Sequence, residues 1–572
     1  MARKVIRFTF LYIFTCFVFF ATLYHHFLRH DFSAYHNDII NPHNTTIKST
    51  IPNFLFHENF SSPNTPSRKF PIIPSVSILM PDWEVYVIVS PDFSPLQTHY
   101  NNSSFLCVFD TGEESPAVRA GELPFPVRSI LNCKLPSRAR RRLPFTQPIL
   151  TRSSANASYR NSPSPELLRW TFLVYDSFTT DNDVVLFVKG LNNRQGINRD
   201  PTEFTCIFGD AVKTAVTSSV QEVFRCKRPD FAVNKSIKVS IEIVGPTPLV
   251  VPTVAYYSPQ RKLASPEKAK LCFCTMVYNV AKFLREWVLY HSKIGVEKFI
   301  LYDNGSDDNL ATVVEELVQE GYNVQTYFWL WPKTQEAGFS HSAIFAKDSC
   351  SWIMYIDVDE FVYSPSWSNL TQPSKLLLPS ILPYSEEIST ENSNNISSVI
   401  SQVRFEKNNV AQISIPCYEF GPSNQKVHPA MGVVQGYNCR RKMENRHKSI
   451  VFLDAVDYSL LNVIHHFQLK PGYNVKKLNV IEMVVNHYKY QAWPEFKAKF
   501  RRRVSAYVVD WTKPLNLGSN DRTPGLGYSP VEPKVWQRKF CEVYDNGLKD
   551  LTWRWFAVES PAPSEYSLPW QR

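Results

Sequence analysis

Trp352-Ile353-Met354-Tyr355-Ile356-Asp357-Val358-Asp359-Glu360-Phe361-Val362-Tyr363 is the stretch from which the fold is read. Apolar and aromatic side chains run without interruption into three acidic residues, the pattern of a buried strand that ends at a site. On an extended backbone, side chains two apart point the same way, so Asp357 and Asp359 present two carboxylates to one small volume. Two carboxylates suit a hard divalent cation such as Mg²⁺ or Mn²⁺, which completes its shell with substrate phosphates. Asp-x-Asp is short, and the chain holds a second copy, Asp181-Asn182-Asp183, after the polar Ser177-Phe178-Thr179-Thr180. With no strand leading in, that copy reads as a turn.

Working outward, residues 270 to 356 alternate strand and helix. Residues 271–277 read as a buried strand. Phe283, Leu284, Trp287, Val288 and His291 mark a helix over 282–292, with Gly295 placed to end it. Phe299-Ile300-Leu301-Tyr302 reads as a second strand. It leads into Asp303-Asn304-Gly305-Ser306-Asp307-Asp308, a turn suited to capping a helix over 310–320. Residues 324–331 read as a strand, 335–350 as a helix and 352–356 as the fourth strand. Such alternation implies a parallel sheet, whose ligands gather at the carboxyl ends of strands, where Asp303 and Asp357 both lie.

Cys274-Thr275-Met276-Val277-Tyr278-Asn279, Glu286-Trp287-x-x-Tyr290-His291, Tyr302-Asp303-Asn304-Gly305-Ser306-x-Asp308 and Ile356-Asp357-Val358-Asp359-Glu360-Phe361 together resemble a plant member of glycosyltransferase family 92, the group that includes galactan galactosyltransferases. The resemblance runs from about residue 271 to about 511. Tyr278-Asn279-Val280 stands where many relatives carry Lys-Asn-Glu. The resemblance implies an α/β GT-A-type, Rossmann-like catalytic domain, a UDP-sugar donor, a divalent metal such as Mn²⁺, inversion at the anomeric carbon and transfer of a hexose such as galactose to a glycan. By position, Asp303 and Asp308 would contact the nucleotide sugar, with turn and cap residues as the alternative. Asp357 and Asp359 would hold the metal. Val484-Val485-Asn486-His487-Tyr488 resembles the family's His-Tyr pair, so His487 is the expected third metal ligand, with His465 and His466 as competitors. Lys448, close to Arg440, Arg441 and His447, would neutralise the diphosphate unless that basic loop is only solvated. Glu419 ranks first as catalytic base, ahead of Asp454, Asp457, Glu482 and Glu495. Arg501, Arg502 and Arg503 read as a solvated helical face.

The N-terminus sets the compartment. Arg3, Lys4 and Arg7 precede an uncharged, Phe- and Leu-rich run over 8–24 with no small-residue cleavage site after it, so a single-pass type II anchor is expected. That places the body in the secretory lumen, with a Golgi membrane as the expected location. Sequons at Asn44, Asn59, Asn102, Asn156, Asn234, Asn369 and Asn395 agree with it. The expected organisation is a tail at 1–7, a transmembrane anchor at 8–28, a Pro- and Asn-rich stem at 29–82, a β-sandwich-like domain at 83–262, the catalytic domain at 263–515 and an extension at 516–572. Within the β-rich part, Leu106-Cys107-Val108-Phe109 leading to Cys133 echoes Thr205-Cys206-Ile207-Phe208 leading to Cys226. We therefore expect bridges Cys107–Cys133 and Cys206–Cys226, each between neighbouring strands. A net charge of +10 over 572 residues favours anionic partners, yet the basic residues are spread and no nucleic-acid module is seen. A homo-oligomer stays open. The rival readings are a metal-dependent phosphohydrolase, for which further Asp/His clusters are missing, and a non-catalytic, membrane-anchored glycan-binding protein.

Overall fold

In the computed structural model the described residues are 74–91, 105–151, 164–192, 197–230, 236–258, 267–383, 409–463, 465–505, 532–559 and 566–571. The tail, the anchor run, most of the stem and all the sequons but Asn369 lie outside them. Among the described residues no helix is long and apolar enough to cross a membrane. Asn369 is exposed at the end of a short 3₁₀ helix, Pro365–Asn369.

The β-rich part forms two curled sheets of matching plan. In the first, the long strand Glu114–Leu123 pairs with Phe105–Val108 through its first half and with Arg128–Lys134 through its second. The register shifts between Arg119 and Gly121, just past the change of partner between Ala117 and Val118. In the second, Val212–Val220 does the same between Phe204–Phe208 and Val223–Lys227, with its shift between Val216 and Ser218. A bulge bends its strand, so each sheet curls back on itself. The expected disulfides Cys107–Cys133 and Cys206–Cys226 are present. They join strands two apart rather than neighbours: their Cα separations of 6.5 and 5.9 Å are well under the roughly 9–10 Å of two flat ladder spacings. Cys272–Cys350 and Cys439–Cys541 are also bridged, while Cys274 and Cys417 are buried thiols.

The first sheet starts at Ser75–Leu79, inside the stretch assigned to the stem. Alternation explains how both sheets pack. Val184, Leu186 and Val188 enter a core private to the second sheet, while Val185 and Phe187, on the other face, join Trp329, Trp331 and Tyr355 of the C-terminal half. Ile78, Ile88 and Ile130 of the first sheet enter the same shared core.

The C-terminal half is built on a mixed sheet. Val324–Phe328, Lys298–Asp303, Ala269–Val277 and Cys350–Tyr355 lie side by side and parallel, in that order. Beyond them, His447–Phe452 runs antiparallel, followed by Val410–Glu419, Val484–His487 and Glu360–Tyr363. The crossovers are helices α1 (Ala281–Lys293), α2 (Leu310–Gln319) and α3 (Gln335–Phe345). Helix α3 stops five residues earlier than its sequence pattern suggests, because Cys350 already pairs with Ala269 and is bridged to Cys272. The strand expected over 324–331 likewise ends at Phe328. After the short helix α4 (Val433–Gly436) comes α5 (Trp493–Ser505). The expected extension is no appendage: Leu548, Leu551, Phe556, Leu568 and Trp570 belong to the main core of this half.

Candidate active site

The strand Cys350–Tyr355 ends beside Ala269–Val277, and the chain turns at Asp357, whose carbonyl accepts from Glu360 N at 3.0 Å. The Glu360 side chain closes the same turn from within, accepting from Asp357 N at 2.9 Å. Glu360–Tyr363 then pairs with Val484–His487, which pairs with Val410–Glu419, and the registers set Glu360 and Glu419 on either side of His487. Three residues far apart in sequence thus form one row across the sheet.

Two lysines neutralise the acidic pair. Lys448 Nζ lies 2.7 Å from Glu360 Oε2, 3.4 Å from Asp357 Oδ2 and 2.7 Å from His465 Nε2. Lys499 Nζ, from α5, lies 2.7 Å from Asp359 Oδ2. Burial pushes the Glu360 carboxyl up to about 8 even with Lys448 against it. Burial also works against the charge on Asp359, yet Lys499 holds its pKa below the usual carboxylate range. His487 is kept neutral, its pKa lowered by burial to about 3. Its Nδ1 sits 3.3 Å from Glu360 Oε1, and its Nε2, buried with no hydrogen-bond partner, lies 3.8 Å from Asp359 Oδ2.

That orphaned nitrogen fits a metal ligand: an ion about 2.1 Å from each atom spans the gap to Asp359. Among the described residues no three His, Cys, Asp or Glu side chains are grouped to hold an ion by themselves, so a cation here would draw further ligands from substrate phosphates. The competing histidines are engaged elsewhere. His465 Nε2 meets Lys448, and His466 bridges Ser449 Oγ at 2.7 Å and Gln412 Nε2 at 3.2 Å.

The other expected residues occupy different surroundings. Asp303 Oδ1 accepts from Ser306 N and Oγ at 2.9 and 2.7 Å, a turn-closing arrangement. Asp308 caps two helices at once, accepting from Ala281 N at 3.0 Å and Leu310 N at 3.2 Å. Neither helix has a side-chain cap of its own from its N-cap residue. Lys448 is buried among its partners. Glu419 is buried between Lys489 Nζ at 2.5 Å and Asn445 Nδ2 at 3.1 Å, with Arg441 at 3.5 Å, and Lys489 holds its pKa low against the effect of burial. The geometry gives it a structural ion pair. Asp183, read as part of a loose turn, is buried and paired with Arg225 Nη1 at 2.6 Å, while Tyr458 OH of the C-terminal half donates to it at 2.9 Å. Contrary to the expectation, a strand does lead into this pair: Leu173–Thr179 turns at 180–182 into Asp183–Lys189, so Asp183 opens a strand, and its carboxylate joins two parts of the molecule.

The Glu286-Trp287-x-x-Tyr290-His291 motif also acquires a task. Trp287 Nε1 donates to Glu360 O at 3.2 Å, Tyr290 OH to Val362 O at 2.6 Å, and Val362 N to His291 Nε2 at 3.3 Å. Burial lowers His291 to about 3, so the ring is neutral and can accept that bond. Glu286 accepts from Val433 N and Val434 N at 2.6 and 3.0 Å, capping α4. Gly432, at φ +96°, lets it approach: a Cβ there would stand 2.6 Å from Glu286 Oε2.

The profile of glycosyltransferase family 92 matches residues 267–514. A glycosyltransferase family 92 protein of Ricinus communis is 37% identical over 536 residues, 88% of this chain and 89% of that protein. Another, of Arabidopsis thaliana, is 41% identical over 419 residues, 70% of this chain and 69% of its own length. A galactan β-1,4-galactosyltransferase of Arabidopsis thaliana is 25% identical over 24% of this chain and 28% of that protein. Among solved structures, a Pyrobaculum calidifontis mannosyltransferase in complex with GDP-Man and Mn²⁺ matches 41% of this chain and 61% of its own at 9% identity. Its TM-score of 0.24 is too slight a likeness to bear on the site.

Proposed function

The chain belongs to glycosyltransferase family 92 and is a glycosyltransferase; on that premise we propose that it moves a hexose from a UDP-sugar to a glycan, with a divalent cation, Mn²⁺ by preference, held at Asp359 and His487 beside Asp357. The observation that carries this reading is the orphaned His487 Nε2 aimed at Asp359. When bound, the cation offsets charge on the departing diphosphate. The chain's own part is to position and to balance charge. Glu360 and Lys448 hold the turn that presents Asp357, and the bonds from α1 fix the strand behind Asp359.

In a single inverting displacement the acceptor hydroxyl oxygen bonds to C1 of the sugar, the C1–oxygen bond to the diphosphate breaks, and a carboxylate takes the hydroxyl proton. Glu419 ranks first from the sequence, but a carboxylate kept ionised by Lys489 is a poor proton acceptor, and we assign no base. Galactose is the proposed sugar, on the partial likeness to a galactan galactosyltransferase. A lumenal, type II placement in the Golgi membrane is proposed from the N-terminal charge pattern and the sequons.

The test is a donor screen with purified residues 29–572, measuring release of UDP with and without Mn²⁺ and a glycan acceptor. Release from UDP-galactose that requires both is the expected result. Release indifferent to Mn²⁺ and to chelator overturns the metal reading.

A further inference from the structure

Lys499 stands where the proposed cation would act, and the two positive charges compete for one oxygen. Its ammonium is 2.7 Å from Asp359 Oδ2, and His487 Nε2 approaches that same oxygen at 3.8 Å. A divalent ion bound between Asp359 and His487 would repel the ammonium strongly at this range. Lys448, on the other carboxylate, is fixed in the strand His447–Phe452 and held by Glu360 and His465 as well as Asp357. Lys499 is held differently. It comes from α5, whose first turns are anchored by Phe496 against Tyr490 and Trp536. One turn before Lys499, Glu495 pairs with Lys282 Nζ at 2.5 Å on α1, where the lysine is half exposed. With one partner this exposed, the pair holds the turn only loosely. The ring of Phe283 lies 5.2 Å from the Lys499 ammonium as it pairs with Asp359, so the charge can leave that oxygen and keep its contact with the ring. A lysine's flexible stem allows the move without displacing the helix.

We propose that Lys499 is a charge-exchange residue: it neutralises Asp359 while the site is free of donor, yields that oxygen to the entering cation, and then pairs with the diphosphate. This rests on the metal reading above. Charge balance supports it. The diphosphate of a nucleotide sugar carries two negative charges, which one divalent cation offsets. When the bond to C1 breaks, the leaving nucleoside diphosphate gains a further negative charge, and a released ammonium is the group at hand to meet it.

The experiment exploits two effects of opposite sign. In Lys499→Met, Mn²⁺ alone, titrated by electron paramagnetic resonance, should bind tighter by about tenfold because its competitor is gone. UDP binding at saturating Mn²⁺, measured by calorimetry, should weaken by about tenfold because the ammonium no longer meets the diphosphate. Lys499→Arg, which keeps the charge, should bind both as the wild type does. Lys499→Gln serves if the Met variant does not fold. A merely structural lysine would weaken both affinities or neither, and either result overturns the proposal. Asp359→Asn separates it from the reading beneath. Wild-type Mn²⁺ affinity in Asp359→Asn would remove the metal site itself, whereas lost affinity there with unchanged affinity in Lys499→Met removes only the exchange.

Discussion

Asp359 and Asp183 share the spacing Asp-x-Asp and both are buried with a cationic partner, yet their substitutions should behave in opposite ways. Asp359→Asn keeps size and hydrogen bonding and removes one charge from the site. Its partner Lys499 is a quarter exposed and can turn to solvent, unlike the buried Arg225 beside Asp183, so the variant should melt near the wild type while turnover drops by about a hundred- to thousandfold, the usual cost of one transition-state electrostatic contact. A variant that melts normally and still turns over at the wild-type rate ends the metal reading. Asp183→Asn leaves Arg225 buried without its charge partner, and breaking such a pair costs about 3 to 5 kcal/mol. Its melting temperature should fall clearly, with turnover per folded molecule unchanged. Asp181→Asn, exposed in the preceding turn, should alter neither. What leads into them does not separate the two pairs, since the strand Leu173–Thr179 runs into the second as Cys350–Tyr355 runs towards the first; polar residues on that strand hid it from the sequence pattern. The sequence does not reveal Arg225 and Tyr458, because both reach Asp183 from other segments. Lys499 escaped notice for the same reason: its helical pattern reads as solvated, and only tertiary packing brings its ammonium to Asp359.

At the scale of elements, α1 is the most legible part of the chain and its purpose the least. The apolar spacing over 283–291 marks a buried helix within a residue or so of its observed ends. Spacing alone does not tell that its Trp, Tyr and His project polar atoms onto the backbone of Glu360–Tyr363. That strand makes its ladder with Val484–His487, so part of its hydrogen bonding must come from a side, and α1 supplies it. Tyr290→Phe removes one donor and leaves Val362 O unpaired in the core, at a cost of about 1 to 3 kcal/mol. If the helix positions the turn before the strand, Mn²⁺ affinity should weaken too, in molecules that are still folded. Unchanged affinity at a lowered melting temperature would reduce the motif to a packing device. The row Glu360, His487, Glu419 was hidden for a related reason: strand register between distant segments leaves no local trace in sequence.

Over the whole molecule, the two curled sheets and the catalytic half are joined through one apolar core rather than strung on a linker. The alternation of Asp183–Lys189 shows how: one side of the strand serves its own sheet, and the other meets Trp329 and Trp331. Within this junction Trp170 stacks on Trp331 at 5.6 Å, and Trp331 Nε1 donates to Asp176 Oδ2 at 3.0 Å. Ser177 N donates to the other oxygen at 2.8 Å. Burial raises the Asp176 carboxyl from 3.8 to about 6, against those two bonds and the nearby Arg128. The unfolded chain releases this proton near pH 3.8, while the folded chain keeps it until about pH 6. The native state therefore binds more protons across that window, and this group's contribution to stability falls as pH rises from about 4 to 6, then levels off. Asp176→Asn keeps an acceptor for the Trp331 indole but turns its NH2 towards Ser177 N–H, a loss common to every pH, and it carries no charge at any pH. Measured against the wild type, it should therefore melt higher at pH 7 than it does near pH 4. Melting curves at both pH values decide it: an Asn variant less stable at pH 7 by as much as at pH 4 would mean that the ionised carboxylate is well solvated at this junction and that the two halves meet less tightly than the shared core implies.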